Sequence, residues 1–169
     1  GSEMCIRDRA IAAIAEVDGP CYVRLGRFDV EDVYDENYHF ELGKGVTLRK
    51  GSKVAIIATG LMVQEALAAC DLVDADPTVI NIHTIKPIDE ELIIETAKTH
   101  DVIITAEEHT IIGGLGSAVC DVVAEQGLGC PVYKIGVKDT YGESGKPREL
   151  LRKYEIDAQA IADKIKEVL

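Results

Sequence analysis

Residues 54–106 read VAIIATGLMVQEALAACDLVDADPTVINIHTIKPIDEELIIETAKTHDVIITA. Three short apolar runs, Val54 to Ala58, Thr78 to Ile82 and Val102 to Ala106, alternate with two longer segments of a different period. The runs are continuous and mostly β-branched, the pattern of strands buried on both faces. The first spacer opens at Gly60, and its apolar residues Val63, Ala66, Leu67, Cys70 and Val73 recur at three- and four-residue steps, giving a helix one buried stripe. The second opens at Pro87 and Asp89 and ends near His100. Asp89 offers a carboxylate to the free amides of the first turn, and Ile88 and Leu92 form an apolar staple. Strands separated by helices of this length are parallel, since a tight turn cannot carry the chain back to the same end of a sheet.

Working outward from this core, Gly116 to Gln126 reads as a helix, Val132 to Val137 as a strand, and Pro147 to Tyr154 and Asp157 to Leu169 as closing helices. In the last, Ala158, Ile161, Ala162, Ile165 and Val168 share one face. Upstream, Val46 to Arg49, the turn Lys50-Gly51-Ser52 and Val54 to Ala58 suggest a hairpin. The expected fold over residues 45–169 is α/β, a three-layer α/β/α sandwich. Its sheet is mixed but mostly parallel and five-stranded, with Val46 to Arg49 as one antiparallel edge strand. Residues 29–44 hold six acids and the aromatics Tyr34, Tyr38 and Phe40 without any period, and read as an acidic linker lying on a surface. Ala10 to Val17 suggests a helix and Cys21 to Leu25 a strand, too little to form a core. Gly1-Ser2 resembles a protease-cleavage scar and Glu3 to Arg9 adaptor read-through, so residues 1–9 are set aside as a tag or artefact. The natural protein is then expected to continue upstream of Ala10.

With 169 residues, 47% of them apolar, the chain has no room for a second complete domain. Thirty acids against eighteen bases give a net charge of −12, so no nucleic acid or anionic membrane is expected as a partner. No apolar run reaches the roughly 18 residues of a membrane helix, and a cytoplasmic location is expected. The five cysteines form no C-x-x-C pair and the histidines no metal-ligand spacing, so neither disulfide nor metal is expected. Cys70 and Cys120 read as small buried apolar residues.

In such sheets, ligands sit at the carboxyl ends of the strands. There, Glu107 to Ser117 reads EEHTIIGGLGS and leads into a helix. Glu107, Glu108, His109, Gly113, Gly114, Gly116 and Ser117 are the candidate residues, as an interface or as an anion loop in which glycines and open helix amides hold a negative group. The glycines could equally serve close packing. A dinucleotide fingerprint fails, because Val119 stands where a third glycine belongs and no acid ends the strand at Ile82. Glu107, Glu108 and His109 could act as acid, base and orienter, or as interface groups. Physical reading alone stops at an α/β domain with one glycine-rich ligand or interface loop.

Six segments in order carry a resemblance: GPCYVRLGR (Gly19 to Arg27), HFELGKG (His39 to Gly45), IATG (Ile57 to Gly60), HTIKPIDEE (His83 to Glu91), EEHTIIGGLGS and YGESGKPRELL (Tyr141 to Leu151). Together they resemble the carboxyl-terminal section of transketolase, in particular the short subunits of two-chain transketolases. Deoxyxylulose-phosphate synthase and the beta subunits of two-oxoacid dehydrogenases share similar segments and stay as alternatives. The resemblance implies a transferase that moves a two-carbon ketol unit between sugar phosphates on thiamine diphosphate with magnesium. It also implies that the cofactor is held by domains outside this chain, so no cofactor is expected on the chain alone. Residues 10–28 would be a remnant of the aminopyrimidine-binding domain. Arg27 would bind the substrate phosphate, with Arg24 as competitor. The partners would be the missing N-terminal domains or subunit, in a homodimer. A module binding a phosphate metabolite, or a non-catalytic interaction domain, is the other reading.

Overall fold

A computed structural model describes residues 6–26, 30–35 and 37–169. The strands are β1 (Val46–Arg49), β2 (Val54–Ala58), β3 (Thr78–Asn81), β4 (Val102–Thr110) and β5 (Val132–Val137). The helices are α1 (Ile6–Ala15), α2 (Met62–Cys70), α3 (Glu90–Thr99), α4 (Leu115–Glu125), α5 (Pro147–Lys153) and α6 (Ala158–Val168). The sheet runs β1-β3-β2-β4-β5, with every pair parallel except β1 with β3. This is the expected mixed five-stranded sheet.

Strand periodicity divides the core between the two faces. Val54, Ile56 and Ala58 point to one side with Val102 and Ile104, under α2, α6 and Leu151 of α5. Ala55, Ile57 and Ile103 point to the other, under Ile93 of α3 and Leu115, Val119 and Val122 of α4. Every residue of β2 is buried, which places it at the centre of the sheet. Asp89 caps α3 as expected, accepting from the Leu92 amide at 3.2 Å, and it also accepts from the Gly45 amide at 2.9 Å.

Four expectations are corrected. The hairpin does not form: β1 crosses to β3, with Thr47 opposite Ile80, because both edges of β2 are taken by parallel neighbours. The connection is pinned at the start of β3, where Ser52 donates to the Asp76 carbonyl and Gly51 to the Thr78 hydroxyl. The N-terminal helix starts at Ile6, inside the stretch set aside, and buries none of its residues. Cys21 to Leu25 is no strand, since no sheet edge among the described residues reaches it, and Tyr22 is 90% exposed. Finally, β4 runs past Ala106 to Thr110, so Glu107, Glu108 and His109 belong to a strand rather than a loop.

Candidate functional site

The strand order reverses between β2 and β4, which opens the crevice of an open α/β sheet at the carboxyl ends of these two strands. Here the Thr59 amide donates to the Ala106 carbonyl, and β4 bulges. Between the pairs Ala106 with Ile135 and Thr110 with Val137, four steps along β4 face two along β5. A bulge re-aims side chains, and this one turns Glu107 inward. Gly136 makes the bulge fit, because a Cβ there would lie 2.8 Å from the His109 carbonyl.

Glu107 is 2% exposed. Its carboxylate accepts from the Leu115 amide at 2.9 Å and the Gly116 amide at 2.8 Å, the first two residues of α4. The open amides that the sequence offers to an external anion are therefore filled by the chain's own carboxylate, which also faces the positive end of the helix dipole. Gly114, just before the helix, leaves room for it: a Cβ there would sit 1.9 Å from Glu107 Oε2. Gly116 lets Thr105 and Lys134 pack against the helix, and Gly113 takes a φ of 75° that favours glycine.

The remaining candidates do not converge into an acid–base set. Glu108 and His109 are exposed. The Glu108 carbonyl accepts from the Arg24 guanidinium at 3.2 and 3.3 Å, tying the N-terminal arm to the end of β4. Ser117 accepts from the Gly113 amide at 2.9 Å and from Lys134 at 3.2 Å. Lys134 was not foreseen; it is the half-buried residue of β5 that closes the loop, also donating to the Ile111 carbonyl. Ile112, at the tip, is 61% exposed. Arg27 lies outside the described residues.

Along the same sheet edge, the linker packs on the end of β3 through its aromatics, as their presence suggested. Asn81 donates to the Tyr34 hydroxyl at 2.6 Å, and Phe40 packs on His83. Burial lowers the pKa of His83 and raises that of Tyr34. Burial likewise raises the Cys70 thiol, which suits a packing role. A cavity of about 350 Å³ lies under Glu31, Asp32 and Val33, against Leu48 and Leu67, apart from the glycine-rich segment. Among the described residues no group of three or more His, Cys, Asp or Glu could hold a metal ion. No helix among them is long and apolar enough to cross a membrane.

The family model for the transketolase C-terminal domain matches residues 43–161. A Methanocaldococcus jannaschii protein described as a transketolase C-terminal section is 45% identical over 93% of this chain and 50% of its own length. A 6-deoxy-6-sulfo-D-fructose transketolase subunit from a Clostridium species is 40% identical over 94% of this chain and 50% of its own. The 1-deoxy-D-xylulose-5-phosphate synthase of Neisseria gonorrhoeae is 41% identical over 91% of this chain but only 24% of its own. Among solved structures, a split gene transketolase, described as an inactive beta4 tetramer, superposes with a TM-score of 0.89 at 40% identity. It covers 94% of this chain and 53% of that one. The chain thus spans about half the length of the first two curated relatives it matches.

Proposed function

The chain belongs to the transketolase C-terminal domain family, and from that premise we propose that it is the carboxyl-terminal section of an enzyme moving a two-carbon ketol unit between sugar phosphates. The observation that carries the reading is the N-terminal arm. Helix α1 buries none of its residues, and Cys21 to Leu25, rich in strand-forming residues, has no strand beside it among the described residues. A helix that buries no residue and a strand-prone segment with no core of its own gain most by packing into a sheet elsewhere. Residues 10–28 are then the last helix and strand of an aminopyrimidine-binding domain, residues 29–44 the linker, and residues 45–169 the packing and dimerisation domain. The segment Glu108 to Ser117, with exposed Ile112, faces the partner.

Thiamine diphosphate supplies the carbanion-stabilising chemistry in this reading, but the described residues do not fit it. The amides of α4 that could hold a diphosphate are bonded to Glu107, and no acidic group is arranged for magnesium among those residues. The cofactor is therefore assigned to the amino-terminal half, as part of the same polypeptide or a separate subunit, and no step is derived through it. Arg27 remains the group proposed for the substrate phosphate, since a guanidinium can hold two phosphate oxygens at once. Calorimetric titration with thiamine diphosphate and magnesium tests the assignment. The chain alone should show no binding, and the assembly with the amino-terminal half should bind. A dissociation constant at or below about 10 μM for the chain alone, roughly −7 kcal/mol, would overturn it.

A further inference from the structure

Beyond the end of β5 every residue from Lys138 to Glu149 is exposed, and yet the stretch is held in place. Tyr154, which packs on the core beneath α2 and α6, accepts from the Glu143 amide at 3.0 Å and donates to the Tyr141 carbonyl at 3.2 Å. Lys153 pairs with Glu143, and Lys138 pairs with Glu155 at 2.8 Å. What these bonds present is the ring of Tyr141, which is 97% exposed and covers nothing among the described residues. Its surroundings are basic: residues 138–153 hold five Lys and Arg against three Asp and Glu, in a chain whose net charge is −12.

The cavity at the other edge of the sheet has the opposite character. Val33, Leu48 and Leu67 give it an apolar floor, exposed Glu31 and Asp32 form an acidic rim, and Gln64 fixes the wall by donating to the Glu31 carbonyl at 2.6 Å. At about 350 Å³ it stands at the small end of ligand pockets, room for a ring but not for a length of chain. We infer that the Tyr141 loop of one copy docks into this groove on a second copy, ring on the apolar floor and basic flank on the acidic rim, and that the contact is made twice in a symmetric dimer. Floor and clamp belong to one face, since Val33, Leu48, Leu67 and Tyr154 all pack on the same side of the sheet. They stand at opposite edges, Leu48 on β1 and the loop beyond β5. A chain cannot fill its own groove, because four interstrand spacings of about 4.8 Å separate the two edges. A two-fold axis laid along the strands over that face brings β5 of each copy over β1 of the other, so both loops meet a groove. The charges set attraction and register, while a ring already fixed by its loop supplies affinity at little cost in freedom. This contact gives the dimerisation role proposed above its residues, and rests on that role only for the pairing of copies.

Sedimentation equilibrium from about 1 μM to about 1 mM reads the dimer dissociation constant. Tyr141→Ala should leave urea unfolding unchanged, because the ring covers nothing, and should raise the constant about tenfold per contact, or about a hundredfold per dimer. Glu31→Lys with Asp32→Lys should also raise it, and added salt should weaken the unaltered dimer, because the rim charges are exposed. Mixing the two variants tests the geometry. A copy with a defective loop keeps a sound groove, and a copy with a defective groove keeps a sound loop, so the mixed dimer retains one intact contact. It should form about tenfold more tightly than either variant alone, since a contact already lost is not lost again. A dimer whose constant is unchanged in either variant, or a mixture no tighter than its parts, would overturn the contact and leave the dimerisation role standing. A monomer throughout would overturn both. If Tyr141→Ala loosens only the assembly with the amino-terminal half, the loop belongs to that half and the proposal fails.

Discussion

Replacing Glu107 by alanine removes the acceptor for two amides that have no other partner in a buried place. Each bond to a charged acceptor contributes about 1.5–3 kcal/mol, and the carboxylate's own desolvation offsets part of the total, leaving an expected loss of about 2–4 kcal/mol. For a chain of this size that lowers the melting temperature by roughly 5–15 °C. The sharper test is a cycle with Gly114, whose φ of −100° any residue tolerates. Gly114→Ala should cost about as much as Glu107→Ala, since its Cβ would sit on Oε2 and expel the carboxylate. In the Glu107→Ala background the same change should cost under about 0.5 kcal/mol, a coupling of roughly 1.5 kcal/mol or more. Urea unfolding of the four proteins gives the cycle. Additive losses, or an almost unaffected Glu107→Ala, would refute the idea that the glycine-rich turn exists to admit this carboxylate.

Asp89→Ala should cost about 1–2 kcal/mol by leaving the Leu92 and Gly45 amides without an acceptor, while Asp89→Asn, an equally good cap, should cost less; denaturant midpoints separate the two. The Lys44 ion pair with Asp89, 3.8 Å long and half exposed, should add little to that difference. In the assembled enzyme, Arg27→Ala should lower kcat/KM about 10- to 150-fold for phosphorylated ketoses and spare an unphosphorylated donor. Arg24→Ala should affect both alike, because its guanidinium is spent on the Glu108 carbonyl; a selective loss there would move the phosphate role to Arg24.

Periodicity by itself determined the architecture. Uninterrupted apolar runs such as VAIIA can only be satisfied between two layers, the stripes on α2 and α6 fixed which faces turn inward, and Asp89 announced its own cap, because these are relations between residues within one turn or one strand. The ordered motifs, through the family they resemble, pointed to the chemistry. Partners distant in the chain were decided by the tertiary structure alone. β1 prefers β3 to its neighbour in sequence because β2 is saturated on both edges, a fact about the whole sheet. Glu107 could be read as a catalytic acid until the bulge at Ala106 to Thr110 turned it under α4, eight residues ahead of the amide it caps. Arg24 and Glu108, 84 positions apart, and Tyr34 and Asn81, 47 apart, meet only when the folded sheet brings its carboxyl edge beneath the linker. No local propensity encodes those distances, because each contact depends on the packing of all the elements between its ends.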